Sequence, residues 1–356
     1  MEQNKALLRV AVVGLTRGRV HVEDYSKNPH VGRIAICDTN ETHLQTVGDA
    51  YGIPADARYT SYEKMLQAEQ PDAVSVTTPN CMHRDMTVKA MEAGAHVLTE
   101  KPMAPNTADA AIMLEASKRT GKLLGVNFNR RFEDCLRAAK ALYDQDRLGK
   151  VYFISTHWHR SRGVPWWYPL KNAATFCGGG PLIDLGCHVM DRALYVCGYP
   201  QVVEVMGGAW LAVSQEEARQ RGIDVFSVED FGAAMLRTAD GTLMEVEASW
   251  ASNREEEYVE TRFYGTKGGV QIKTTLGQEE VCEYKAFLPA GNEVVVHDLC
   301  GFTPEGINNE HDDFIDAILN HRQPVCTLEE GLALCRIVDA IYESARTGKA
   351  VRLDQA

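Results

Sequence analysis

No Cys-x-x-Cys pair occurs among the ten cysteines of this 356-residue chain, which excludes a zinc ribbon and a redox dithiol and leaves free, buried thiols as the expectation. No apolar run approaches the ~18–20 residues of a membrane span. The opening residues, Met1-Glu2-Gln3-Asn4-Lys5, lack the charged, apolar and small-residue sections of a signal peptide. The expected location is cytoplasmic. Positive charge is also short: a formal net charge of −12 opposes attraction to phosphate backbones and anionic membranes, so neither nucleic acid nor a membrane is an expected partner. Internal repeats, low-complexity tracts and long linkers are lacking too. What remains is a globular composition, 45% hydrophobic and 24% charged, at a length that implies two domains.

A complete Gly-x-Gly-x-x-Gly fingerprint is a further absence. Leu8 to Val13 reads as a short apolar strand that ends in Gly14-Leu15-Thr16-Arg17-Gly18, with Thr16 where the second glycine belongs and Gly18 one place early. Strand, glycine turn and helix start still present backbone N–H groups to a phosphate. Val31 to Cys37 reads as the next strand and ends in Asp38, placed to accept from a ribose hydroxyl and to repel a 2′-phosphate, which favours NAD over NADP. Asp38 also suits the N-cap of a helix over 40–51.

Strand patterns at 73–77, 96–99 and 123–127 alternate with helical patterns at 83–93 and 106–120, which predicts a parallel sheet covered on both faces. Ligands bind such sheets beyond the carboxyl ends of the strands. Thr77-Thr78-Pro79-Asn80, Glu100-Lys101-Pro102 and the run from Asn127 to Phe132, containing Asn129 and Arg130, all follow strand ends and are expected on one rim. A lysine held there can polarise a substrate oxygen or move a proton.

The second half is organised around Gly178-Gly179-Gly180-Pro181-Leu182-Ile183-Asp184-Leu185-Gly186-Cys187-His188. Pro181 suits a first helical turn, and on the helix that follows Asp184 and His188 share a face one turn apart. An Asp so placed can orient an imidazole and raise its basicity. Residues 151–159 alternate like a strand, with His157 and His159 on one face. No further ligand cluster is evident beside them, so no metal is expected. Three of the five tryptophans fall at Trp158, Trp166 and Trp167, next to Arg160 and Arg162, and aromatic faces with arginine donors suit a pyranose. Further strands are expected at 228–238, 242–250 and 259–264. The acids of Asn309-Glu310-His311-Asp312-Asp313 suit the start of a helix over 314–319.

The ordered set Thr78-Pro79-Asn80 with His83, Glu100-Lys101-Pro102, Asn129-Arg130-Arg131-Phe132 and Asp184-x-Gly186-x-His188-x-x-Asp191 resembles the glucose-fructose oxidoreductase, inositol dehydrogenase and rhizopine-catabolism protein (Gfo/Idh/MocA) family. Phe314-x-x-Ala317-Ile318, Gln323-Pro324 and Gly331-Leu332 extend the resemblance over nearly the whole chain. It implies an α/β protein: a Rossmann dinucleotide-binding domain, placed here at 1–127, and a C-terminal α/β domain at 128–356 whose open, mostly antiparallel sheet often makes the contact of a homo-oligomer, a dimer or tetramer. It also implies Lys101 and His188 as the acid/base pair, Asp184 as the orienting group, and a cis Lys101–Pro102 bond.

Gly14, Thr16, Arg17, Gly18, Asp38, Thr78, Pro79, Asn80, His83, Glu100, Lys101 and Asn129 are the expected NAD-binding residues. Lys101, Arg130, His159, Arg162, Trp166, Trp167, Asp184 and His188 are the expected substrate-binding residues. The expected reaction is hydride transfer between a secondary alcohol of a sugar, polyol or glycoside and the nicotinamide, with pyranoside carbon 3 suggested because the Arg162 segment resembles members acting on glucosides. A redox-neutral NAD-dependent glycoside-cleaving enzyme and a non-enzymatic dinucleotide sensor are the alternatives.

Overall fold

The computed structural model describes residues 7–166, 173–223, 226–277, 279–302 and 305–353. The chain folds into two compact units, Met1–Phe128 with Ile307–Leu332, and Asn129–Gly306 with Ala333–Ala356. A simple division after Asn127 therefore misses that a later stretch, Ile307–Leu332, belongs with the first unit.

In that unit β1 (Leu8–Val13), α1 (Leu15–Lys27), β2 (Val31–Cys37), α2 (Glu41–Ala50), β3 (Arg58–Tyr59), α3 (Tyr62–Glu69), β4 (Ala73–Val76), α4 (Asn80–Glu92), β5 (His96–Thr99), α5 (Thr107–Thr120) and β6 (Leu124–Val126) alternate. The strands form one parallel sheet in the order β3-β2-β1-β4-β5-β6. Val10, Val12, Val74, Val76, Val97 and Leu124 are buried in succession, as strands covered on both faces require. The order reverses direction between β1 and β4, so a crevice opens beyond their carboxyl ends. Helix boundaries follow their caps. Asn40, Ser61 and Asn106 each accept a backbone N–H from the first turn of α2, α3 and α5, and Gly121, in the left-handed region, ends α5.

The second unit contains α6 (Asp134–Asp144), β7 (Val151–His159), α7 (Ala173–Cys177), α8 (Cys187–Val196), β8 (Val202–Trp210), α9 (Gln215–Gln220), β9 (Phe231–Thr238), β10 (Leu243–Ser249), β11 (Glu257–Gly265), β12 (Gly269–Leu276), β13 (Val281–Ala290) and β14 (Glu293–Asp298). After it come α10 (Glu310–Leu319), within the first unit, then α11 (Leu328–Thr347) and β15 (Val351–Arg352). Asn309 caps α10, so that helix starts earlier than its apolar pattern suggests.

The second sheet runs β14-β13-β12-β11-β7-β10-β9-β8-β15 and is antiparallel except where β7 meets β10. One face carries α6 and α8: the Thr156 hydroxyl donates to the Val189 carbonyl, and Ala248 packs on Gly186. The opposite face exposes Met206, Met235 and Tyr264. β9 starts at Phe231 rather than at 228, because the buried Asp230 carboxylate accepts from the N–H groups of Ala212, Val213 and Ser214 and organises a loop there. Among the described residues no helix is long and apolar enough to cross a membrane.

Candidate functional site

At the rim of the parallel sheet, Gly14 takes φ +88° and caps α1. A Cβ on Gly14 would lie 2.7 Å from the Thr77 carbonyl oxygen, and one on Gly18 2.6 Å from Thr77 Oγ1, so both glycines are needed for the turn to press against the end of β4. The close approach that a Gly-x-Gly-x-x-Gly run provides is thus kept with a different spacing. Thr16 and Arg17 are exposed, and no acid occupies the first turn of α1, so its positive end is open to a phosphate. This cradle fits a dinucleotide pyrophosphate.

Asp38 ends β2 and accepts from Leu15 N at 2.7 Å and Asn40 N at 2.8 Å. It braces the glycine turn, and Asn40, not Asp38, is the cap of α2. Thr78 and Asn80 are half-buried, and Pro79 is exposed. His83 is wholly buried with Nε2 2.8 Å from the Thr78 carbonyl and Nδ1 2.9 Å from the Pro102 carbonyl. It ties two rim loops together instead of facing a ligand. Burial holds its pKa down, against the pull of the two carbonyls.

Glu100 is likewise a brace. Its buried carboxylate accepts from Arg17 Nε, His21 Nε2, Asn127 Nδ2 and Lys101 N, all within 3.1 Å. Burial pushes its pKa up, but His21, Arg17 and Asn127 together outweigh that and hold it well below the usual carboxylate range. The Lys101–Pro102 bond that follows is cis. Sequence reasoning did not single out His21, whose role depends on a side chain from a different strand end.

In the second unit, the glycine run is locked by one buried acid. Glu229 accepts from Gly180 N at 3.1 Å, Leu182 N at 3.0 Å and the Tyr342 hydroxyl at 2.9 Å. A Cβ on Gly180 would meet the Glu229 carbonyl at 2.2 Å, and one on Gly179 the Tyr342 hydroxyl at 1.9 Å. Burial raises the Glu229 pKa despite these donors.

The chain then winds as a π turn over Leu182–Gly186 before α8 begins, not as the uniform α-helix expected from Pro181. Such turns recur at functional sites. From Pro181 to Leu194 every residue is buried except Asp184 and His188, which are half-exposed. The Asp184 carboxylate accepts from Trp250 Nε1 at 2.9 Å, and the His188 ring lies 5.6 Å from the Trp158 ring.

The Arg130 guanidinium stacks 4.5 Å from the centre of the Trp158 ring and donates to Glu133. Trp158 Nε1 is buried without a hydrogen-bond partner among the described residues. Trp250 was not an expected site residue, and Trp158 was expected only as part of the tryptophan cluster, not as a named contact. Asn129 opens the short turn Asn129–Phe132, whose Arg131 is buried against Asp191 and accounts for that part of the motif as packing.

Three expected substrate contacts fall elsewhere. His159 is fully buried on the opposite face from Trp158 and meets Glu247 at 2.8 Å. The Arg162 guanidinium donates to the carbonyls of Ser161 and Ser252 and to Asn253 Oδ1, joining two loops. Trp166 packs beside Phe226 and under Arg221. Trp167 lies outside the described residues.

Comparison with known proteins identifies the family and the fold. The family model described as an oxidoreductase family with an NAD-binding Rossmann fold matches residues 8–128, and the C-terminal domain model of the same family matches 136–271. The chain is 30% identical over 369 residues to D-glucoside 3-dehydrogenase of Escherichia coli K12, covering 97% of each. It superposes with a TM-score of 0.82 on the aldose–aldose oxidoreductase of Caulobacter crescentus complexed with glycerol, at 28% identity over 98% of this chain and 100% of that one. A levoglucosan dehydrogenase in complex with NADH shares the fold, with a TM-score of 0.83 at 20% identity, over 97% of this chain and 99% of that one. With its NAD-binding Rossmann unit and its mixed, mostly antiparallel second sheet, the chain belongs to the Gfo/Idh/MocA family of oxidoreductases.

Proposed function

We propose that this enzyme oxidises a secondary alcohol of a sugar, polyol or glycoside, or reduces the corresponding ketone, with pyranoside carbon 3 as the reacting position. The carrying observation is that, from Pro181 to Leu194, Asp184 and His188 alone stay open in an otherwise buried run. When bound, NAD supplies the hydride acceptor and, in reverse, the donor. His188 takes the hydroxyl proton, and the Lys101 ammonium hydrogen-bonds the developing alkoxide, a division of labour the two residues can exchange. Asp184, fixed by Trp250, orients the imidazole or a substrate hydroxyl. Trp158 and Arg130 present an aromatic face and a donor to the sugar.

The glucoside preference is supported by the Escherichia coli relative, a D-glucoside 3-dehydrogenase. NAD is favoured over NADP because Asp38 would repel a 2′-phosphate; it can share an oxygen between Leu15 N–H and a ribose hydroxyl. Thr16, Arg17, Thr78, Asn80 and Asn129 are assigned to contacts with the cofactor. We place the protein in the cytoplasm, where its ten free cysteines would stay reduced. We also assign it to a homo-oligomer, dimer or tetramer, joined through the open sheet face that exposes Met206 and Met235.

The test is nicotinamide absorbance on mixing the protein with NAD or NADP and a panel of pyranosides, inositols and sugar acids. A rise with NAD and glucosides is the expected result. No rise with any of them, with NAD(H) released on denaturation, would replace this reading with a redox-neutral glycoside-cleaving cycle.

A further inference from the structure

On the open face of the second sheet three metal-ligating side chains converge. Alternation along β7 puts His157 and His159 on that face, and the parallel register sets Glu247 of β10 opposite His157 and Ser249 opposite His159. One ligand atom from each of the three lies within 4.8 Å of the others. His159 is fully buried, and Glu247 and His157 are largely shielded, so the donors sit in a partly desolvated pocket rather than on a solvated surface.

The contacts of His159 are inconsistent as they stand. Its Nε2 lies 2.8 Å from Glu247 Oε2 and 3.0 Å from an Arg254 nitrogen. The carboxylate can only accept and the guanidinium can only donate. A neutral imidazole nitrogen therefore satisfies one of them and opposes the other. A cation in place of the guanidinium removes the conflict, because the Nε2 lone pair and the carboxylate both point at positive charge. Arg254, with a side chain 42% exposed, has room to swing away.

We propose that His157, His159 and Glu247 form a binding site for a zinc-type divalent cation, with water completing the coordination. Two imidazoles and one carboxylate are the donors zinc takes, whereas calcium and magnesium prefer all-oxygen sets. Zinc–ligand bonds of ~2.0–2.2 Å place neighbouring donors about 3.3 Å apart in a tetrahedron, which small rotations from the present spread reach. Ser249 Oγ, 3.4 Å from His159 Nδ1, supplies an outer contact that orients the ring. The Glu245 carboxylate, 3.5 Å from His157 Nε2, adds negative charge. The site joins β7 to β10 and is independent of the dehydrogenase reading.

The test uses the full chain, stripped with chelator and given Zn²⁺ or Co²⁺ alone near neutral pH. Expected are one zinc per chain after gel filtration and visible cobalt bands of a four-coordinate ion. His157→Asn and Glu247→Gln should each weaken zinc by more than about 100-fold, since outer-contact losses alone cost ~10–100-fold. Arg254→Gln, a change at a half-exposed side chain, should tighten it by about 10-fold or more by removing a competing charge. Zinc bound equally by the wild type and both ligand variants, or by neither the wild type nor Arg254→Gln, overturns the proposal. Should a ligand variant fail to fold, the cobalt spectrum and Arg254→Gln decide: absent tetrahedral bands or unchanged affinity refutes the site.

Discussion

Along β7, Trp158 turns to the helix-covered face and sits 5.6 Å from the His188 ring, whereas His157 and His159 turn to the open face and meet Glu245 and Glu247. One strand therefore presents side chains adjacent in sequence to two different environments. On the covered face Asp184 and His188 are polar openings in an apolar wall, and the buried Trp158 keeps an N–H without a described partner. On the open face the polar groups engage one another. The difference teaches that polar groups saturated by one another differ from polar groups left open in a rigid wall, and the proposed substrate site is built from the second kind.

The largest expected effect breaks the covered face alone. His188→Asn should lower kcat by about 10²–10⁴-fold, the usual worth of a positioned acid/base group, with nucleotide affinity and zinc uptake unchanged. Steady-state kinetics beside nucleotide and zinc titrations check this, and turnover within a few-fold of wild type would refute the role of His188.

The next effect tests how firmly that wall is held. Arg131 and Asp191 are both buried, paired at 2.5 Å, and Asp191 also accepts from the Tyr199 hydroxyl at 3.3 Å. Arg131→Met leaves the buried Asp191 carboxylate without its cation and should cost about 3–5 kcal/mol in urea unfolding. Adding Asp191→Leu should recover most of it. A double variant no better than the single one would show that the pair's hydrogen bonds, not its buried charge, fix α8.

The parallel sheet offers a milder version of the same contrast. Glu100 has its carboxylate saturated by Arg17, His21, Asn127 and Lys101 N, beside the open cradle at Gly14. Its folded pKa is depressed, so its stabilisation is complete above the ordinary carboxylate range and is lost as pH falls toward the folded value. Glu100→Gln should cost about 1–3 kcal/mol at neutral pH and flatten the acid limb of a stability–pH curve. An acid limb as steep as the wild type's would show that other carboxylates govern it.

Much of this was legible where one stretch of chain carries its own signal. The continuous apolar runs of β1, β2, β4 and β5 announce buried parallel strands, and Asp184 and His188 stand out at helical spacing after three glycines. What escaped notice depends on partners brought from afar. Glu229 and Tyr342 explain why Gly179 and Gly180 must be glycines, yet nothing near either residue suggests it. Glu247 completes a donor set with His157 and His159 only through the register of β10 on β7. β14 is exposed along its whole length, so no alternation reveals it. His83 and Glu100 read as ligand contacts because rim motifs place them correctly, but burial and saturated hydrogen bonds make them braces.

The smallest expected effect sharpens the comparison most finely, because it alters one hydrogen-bond donor and little volume. Trp158→Phe removes the buried N–H while leaving an aromatic ring against Arg130 and His188. If that N–H holds a sugar hydroxyl equally in ground and transition states, KM should rise with kcat nearly constant, by about 3- to 10-fold for a neutral hydrogen bond of ~0.5–1.5 kcal/mol. A 3-deoxy or otherwise hydroxyl-deleted glycoside lacking the contacted group should show no further loss in the variant. A fall in kcat at constant KM would instead put the indole N–H against charge that develops in the transition state, making Trp158 part of the reacting centre rather than of the binding wall.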